Sequence, residues 1–323
     1  MISTFQIPTT IQPKISMIER KMLSLTDGYH PDLKAALEVI LSSGGKRIRP
    51  LIILLIGDLL NGPHDQLINL ATAIELLHTA TLIHDDLIDG SVLRRGIPTL
   101  NSQWSPAATV LTGDFLFSCS ASMAAETDNF EVIKLFSRTL TVIVNGEIDQ
   151  LFSSRCNASK EDYFQRIFAK TASLFETSAQ TAAILSNSAH EQILELKRFG
   201  YSLGMAFQII DDLLDYVGDV SMVGKPIGGD LRQGLITLPM LNYVDSHPDD
   251  PAVINLLNHK CIIDEDEIQR VINAIKDTDA IEKTSNQAKK FAEEARQSLS
   301  AFVDSEAKQS LLALTQYTID RVQ

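Results

Sequence analysis

Two stretches of this chain are apolar around the whole circumference of a helix, and each ends in a run of aspartates. From about Asp65 to Asp89, the positions Leu67, Ile68, Leu70, Ile74, Leu76, Leu77, Leu82, Ile83, Leu87 and Ile88 leave no polar face, and Asp85-Asp86-Leu87-Ile88-Asp89 closes the run. From about Glu191 to Val217 the pattern repeats, with Asp211-Asp212-Leu213-Leu214-Asp215 near its end and Gly218 as a stop signal. A helix apolar all round belongs inside a bundle, so both acidic clusters are expected indoors. The first and third carboxylates of each are four residues apart, about one turn, and share a face. Stacked like charges repel, and desolvating them costs far more unless a cation intervenes. Hard oxygen donors at this spacing suit Mg²⁺, which takes one or two carboxylates together with waters and phosphate oxygens. A single such cluster reads equally well as a solvated helix end. Two, both on the most apolar helices, weigh against that reading.

The formal net charge of −13 argues against nucleic-acid binding, which wants a basic face. It also suits an anionic substrate poorly, unless metal cations stand between the two. The scarce cations gather near the acidic clusters in sequence. Gly44-Gly45-Lys46-Arg47-Ile48-Arg49-Pro50 puts three positive charges after a glycine pair and before a helix that Pro50 is expected to begin. Arg94-Arg95-Gly96 follows the first cluster, Lys170-Thr171 interrupts an apolar stretch, and Gly224-Lys225-Pro226 follows the second. Arginine offers a planar fork to phosphate oxygens and lysine a point charge. A diphosphate bridged through metal to the carboxylates and clamped by these cations resolves the charge mismatch.

Other helical patterns run over 15–25, 31–42, 50–60, 107–125, 130–153 and 161–186, with short polar breaks between them. The charge-laced tail after Pro251 reads as helices lying on a surface. Alternating strand patterns are hard to find, no linker divides the chain, and one mostly-α domain over 1–323 is expected. Cys119, Cys156 and Cys261 lie far apart with no CxxC, which predicts free thiols, no zinc site and a cytoplasmic location. The first twenty residues lack a basic region followed by an apolar core, so no signal peptide is read. Leu51–Leu60 is too short to span a bilayer.

Taken in order, GGKRIRP at 44–50, LIHDDLIDGSVLRRGIPTLN at 82–101, GDFLF at 113–117, GEIDQL at 146–151, KTASLF at 170–175, GMAFQIIDDLLDYVGD at 204–219 and GKPIGGDLRQGLITLP at 224–239 resemble the trans-isoprenyl diphosphate synthases, or polyprenyl synthases. The resemblance implies a single-domain, all-α orthogonal helix bundle of the isoprenoid synthase type with a central cavity, and a homodimer without a membrane span. It implies 1'-4 (head-to-tail) condensation of isopentenyl diphosphate with an allylic diphosphate. Matched position by position, Lys46, Arg49, His78 and Arg95 resemble the isopentenyl diphosphate site. Asp85 and Asp89, with Asp211 opposite, resemble the ligands of three Mg²⁺ ions. Arg94, Lys170, Thr171, Gln208 and Lys225 resemble the surroundings of the allylic diphosphate. Asp86 and Asp212 complete the catalytic motifs. Many members carry a second Lys where this chain has Leu235, and some carry Gln where it has Glu147.

A helix turn is about 5.4 Å long, close to one isoprene unit, so residues one turn before Asp85 should floor the product tunnel. Ala80 and Thr81 are small, and in the resembling family bulky aromatics there stop growth. The expected product is C20 or longer, roughly C25–C45, unless Leu76, Leu77 or a neighbouring helix plugs the tunnel early. A class I terpene cyclase shares the aspartate motifs but lacks the GGKRIRP site. A di-iron carboxylate bundle needs two ExxH motifs, and Glu75–His78 supplies one. A non-catalytic subunit of a heteromeric synthase would not need both aspartate motifs.

Overall fold

The computed structural model describes residues 7–42, 45–94, 96–152, 156, 158–217, 227–258, 261–262 and 264–321. Its helices are α1 (Gln12–Ser24), α2 (Pro31–Ser42), α3 (Ile48–Leu60) and α4 (His64–Ile88), then, after a two-residue hairpin β1 (Leu93–Arg94) and β2 (Ile97–Pro98), α5 (Leu100–Gln103), α6 (Pro106–Ala125) and α7 (Phe130–Phe152). There follow α8 (Lys160–Ile167), a π-helical turn at Phe168–Ala172, α9 (Ser173–Leu185) and α10 (His190–Val217). The remainder comprises α11 (Gly229–Arg232), α12 (Leu238–Ser246), α13 (Pro251–Leu257), α14 (Glu265–Lys276), α15 (Ala280–Ser298) and α16 (Glu306–Asp320). The fold is all-α, as its sequence pattern predicts.

Local chemistry sets several of these ends. Ser105, Ser159, Asp264 and Ser305 each accept a backbone N–H three residues on, which caps α6, α8, α14 and α16. Asn61 ends α3 in the left-handed region (φ 54°), and Gly62 N–H closes back on the Gly57 carbonyl. The start of α3 differs from the sequence expectation. Ile48, not Pro50, begins the helix, and Arg47 precedes it with φ 46°. That strained backbone is held by the Arg47 side chain, whose Nη1 meets Glu75 at 2.8 Å and whose Nη2 meets the Leu41 carbonyl at 2.6 Å.

The apolar surface divides into two cores. One gathers α1–α4, α6, α7 and α9 with the first half of α10 (Leu196, Phe199, Leu203). The other gathers α8 and α12–α14 around the second half of α10 (Met205, Ile209, Ile210, Leu213, Tyr216). α15 joins both, through Ala288 to the second and Ala295 to the first. The tail is therefore not a surface appendage: Ala288, Ala292 and Ala295 are buried, and α15 packs along α10. α4 is the one helix among the described residues long and apolar enough to cross a membrane, and 72% of its apolar window is buried inside the protein.

The cysteines also depart from expectation. Cys156 and Cys261, with Cα atoms 5.2 Å apart, form a disulfide, and Cys119 alone is free. Sequence spacing gave no hint of the pair, because 105 residues separate the two positions and only the packing of the second core brings them together.

Candidate active site

The ends of the two apolar helices meet at one cavity of about 840 Å³. Its wall takes Val39 and Ile40 from α2, Lys46–Arg49 at the start of α3, His78–Asp89 positions from α4, Arg94 and Ile97–Thr99 from the hairpin, Lys170 and Thr171 from the π turn, and Phe207, Gln208 and Asp211 from α10. Arg321, just past α16, closes the last side.

Asp85, Asp86 and Asp89 all reach this wall. Asp86 is engaged, with Arg94 Nε donating to both of its oxygens at 3.0 and 2.9 Å. Asp85 is pushed up to about 6, first by burial and also by the charges of Glu147 and Asp89, although Lys170 and Arg94 pull the other way. Burial likewise raises Asp211, against the pull of Arg321, whose Nη2 lies 2.6 Å from it. The second cluster splits into three separate jobs, although its first and third carboxylates are about one turn apart. Asp211 faces the cavity. Asp212 lies off the wall, with Tyr163 Oη donating to Oδ2 at 2.7 Å and Gln208 Nε2 donating to Oδ1 at 2.8 Å. Asp215 accepts the N–H groups of Gly229 and Asp230, both at 3.1 Å, and so pins the start of α11.

Among the cations, Lys46 reaches the wall with its Nζ 4.9 Å from the Tyr317 ring centre. Arg49 lies 4.8 Å from the Phe175 ring, and burial lowers it to about 10, so it remains charged at neutral pH. Arg47, between them, also reaches the wall but is held by Glu75, Glu19 and the Leu41 carbonyl. His78 lines the same wall, two turns before Asp85. Lys170 Nζ sits 2.8 Å from Glu147 and 3.9 Å from Asp85. Arg94 is on the wall as well as on Asp86. Arg95 and Lys225, with Gly44, Gly218, Gly224 and Pro226, lie outside the described residues. Leu235 is not on the wall. Sequence reasoning missed Arg321, a lone basic residue near the chain end whose helix had no visible link to the cavity.

The π turn was missed too. The sequence read as one helix from 161 to 186, whereas the extra residue per turn at Phe168–Ala172 re-aims Lys170 and Thr171. Two glycines make room for it. A Cβ on Gly146 would fall 2.5 Å from Ala169 Cβ, and one on Gly204 would fall 2.6 Å from Ala172 Cα. Thr171 Oγ1 donates to Gln208 Oε1 at 2.6 Å, which fixes a pair of oxygens at the wall. Of the tunnel-floor candidates, Thr81 lines the cavity, while Ala80 and Leu77 are fully buried behind it.

The donor set suits hard divalent cations. Buried carboxylates raised in pKa favour a cation partner. Among the described residues no three acidic, His or Cys side chains converge into a ready-made cage. Beside Asp211, Arg49 Nε and Arg321 Nη1 are buried without a hydrogen-bond partner, donors suited to an anion.

The profile of the family described as polyprenyl synthetase matches residues 30–275. A "prenyl transferase" of Synechocystis is 34% identical over the whole of both chains. The "heptaprenyl diphosphate synthase component 2" of Bacillus subtilis is 34% identical over 94% of this chain and 86% of its own. Among solved structures, the heptaprenyl diphosphate synthase of Staphylococcus aureus superposes with a TM-score of 0.91 at 32% identity, covering 97% of this chain and 99% of that one. A Caulobacter crescentus polyprenyl synthase complexed with calcium and isoprenyl diphosphate gives 0.89 at 30% identity, over 97% and 96%.

Proposed function

The chain belongs to the polyprenyl synthetase family, and from that premise we propose that it condenses isopentenyl diphosphate with an allylic diphosphate to build a linear all-trans polyprenyl diphosphate. The observation that carries this is the meeting of both aspartate clusters at one cavity, with unpartnered guanidinium N–H groups of Arg49 and Arg321 beside Asp211.

Asp85, Asp89 and Asp211 are the residues that would hold Mg²⁺, three ions by the family's pattern, and the bound ions would screen the diphosphate charge that builds as the allylic bond breaks. Lys170 and Arg94 hold the allylic diphosphate, a role shared with Lys225, while Arg95 belongs with the isopentenyl diphosphate site. Lys46, Arg49 and His78 hold the isopentenyl diphosphate against the start of α3. Between the two, Thr171 Oγ1 and Gln208 Oε1 present oxygen dipoles to the allylic cation, which is electrostatic stabilisation set up before the reaction. Ile83, Leu82 and Phe207 keep water from that carbon. The C5 double bond attacks, and the proton it sheds passes to the departed diphosphate. No side-chain nucleophile is required.

The product is read as roughly C25–C45, because Thr81 leaves the tunnel side of α4 open. Relatives named as heptaprenyl synthases support that range. A homodimer is supported by the apolar side chains that α6 and α7 leave exposed, Val110, Leu111, Val144, Ile148, Leu151 and Phe152; sedimentation at twice the 35.6 kDa chain mass is expected. The word "component" in the Bacillus relative's name supports a second reading, in which the chain needs a partner subunit. Purified chain incubated with radiolabelled isopentenyl diphosphate, farnesyl diphosphate and Mg²⁺ decides between them. Polyprenols longer than C20 after dephosphorylation are expected. No incorporation by the chain alone would defeat the self-sufficient enzyme, and a cyclic product would defeat the family chemistry.

A further inference from the structure

A four-residue hydrogen-bond chain runs from behind the cavity to its wall. Tyr163, in the first turn of α8, is 1% exposed and lies outside the cavity. Its hydroxyl donates to Asp212 Oδ2 at 2.7 Å. Asp212 Oδ1 accepts Gln208 Nε2 at 2.8 Å, and Gln208 Oε1 accepts the Thr171 hydroxyl at 2.6 Å. Only the last two touch the cavity.

Each link has one sense. Asp212 accepts on both oxygens, from the Tyr163 hydroxyl on Oδ2 and from the Gln208 N–H on Oδ1. Once the amide nitrogen is spent on Asp212, its carbonyl oxygen must be the end that meets Thr171 and the cavity. An amide is nearly symmetric in shape and is turned one way or the other by its hydrogen bonds alone. Its two ends have opposite effects on a cation: the oxygen stabilises positive charge, and the N–H group repels it. The sign of the dipole at the reacting carbon is thus set by what holds Asp212 in place. The phenol is that holder. Burial, then the Asp212 charge, raise it well above its ordinary value, so it stays a donor throughout the neutral range. Its ring is wedged edge-on to Phe164, with centroids 5.3 Å apart, and Arg166, which donates to the Ile236 carbonyl at 2.6 Å, acts on Asp212 through its charge.

We propose that Tyr163 is a positioning residue for the prenyl-transfer step: acting through Asp212, it keeps the Gln208 amide oxygen facing the carbocation. Without the hydroxyl, Asp212 Oδ2 is left with an unmet buried acceptor and rotates, and the amide is free to present its N–H end. The inference rests on the prenyltransferase reading, and a wild-type chain that makes no polyprenyl product would defeat that reading alone.

The test is a double-mutant cycle on the wild-type-active enzyme. Tyr163→Phe keeps the ring and removes the hydroxyl. It should lower kcat about tenfold while KM for both diphosphates stays within about twofold, since the diphosphate ligands are untouched. Gln208→Ala removes the amide that the network orients. In that background Tyr163→Phe should change kcat less than about twofold, because nothing is left to turn. A merely structural tyrosine would lose the same factor in both backgrounds, and that result overturns the proposal, as does a Tyr163→Phe enzyme with wild-type kcat. Should Tyr163→Phe show no cooperative melting transition, Asp212→Asn takes its place in the cycle, since asparagine no longer demands an N–H. Equal losses with and without Gln208, or an unchanged kcat, would again overturn it.

Discussion

The carboxyl of Asp85 is the most consequential single group in the cavity, because burial lifts it to about 6. The folded protein keeps this proton up to that pH, whereas the unfolded chain releases it near 4. Between those values the native state binds the extra proton, so this group's contribution to stability is present at low pH and is lost as pH rises toward 6. A divalent cation must displace the same proton below pH 6 and finds the oxygens free above it. The melting-temperature gain from Mg²⁺ plus inorganic diphosphate should therefore be several-fold larger at pH 8 than at pH 5.5. Asp85→Asn should remove most of the gain, and equal gains at both pH values would contradict the assignment. Thr81 is consequential for a different reason. It is the small residue that opens the wall one turn before Asp85, so Thr81→Phe should shorten the product by one or more C5 units, read by chromatography of the alcohols. An unchanged product distribution would mean that the tunnel does not pass Thr81.

At the level of elements, the π turn is the part that the site depends on most. It is gripped between α7 and α10 by two close approaches that only glycine permits, at Gly146 and Gly204. Gly204→Ala would place a Cβ within 2.9 Å of Ala172 Cβ and Phe175 Cβ as well as against the Ala172 backbone. Neither neighbour is a flexible side-chain tip, so α10 must move. Overpacking of this kind costs about 1–3 kcal/mol, and displacing reacting groups by about 1 Å costs up to a hundredfold in rate. Lower melting temperature together with a kcat reduced at least tenfold is expected; a variant that matches wild type in both would show that the contact is slack. This element was illegible in the sequence because a π turn has the same apolar periodicity as its flanks over so short a span. The two long apolar helices were legible for the opposite reason. α4 is apolar on nearly every side, and α10 becomes so from Phe199 on, although Glu191, Gln192 and Arg198 face out on its first turns. The structure places the two helices at His64–Ile88 and His190–Val217.

Across the whole molecule, what the sequence disclosed was the chemistry carried by contiguous motifs. Lys46, Arg49, His78, Asp85, Asp89, Lys170, Thr171, Gln208 and Asp211 share one wall. What it concealed were contacts made by residues with no motif around them. Arg321 arrives on α16 from the far end of the chain, Tyr163 acts through Asp212, and Asp215 serves the backbone of α11. A single sequence shows which residue types are present but not which distant helix end will close a cavity. The tail's charged stripe, which spoke for a surface, hid the small residues Ala288, Ala292 and Ala295 that seat it against α10.

The bond between Cys156 and Cys261 turns everything from the start of α8 to the end of α13 into a closed covalent ring. That ring carries Lys170, Thr171, Gln208 and the second aspartate cluster. One hydrolysed peptide link within it opens the circle without liberating a fragment, so a nicked molecule still owns both halves until a thiol reductant parts them.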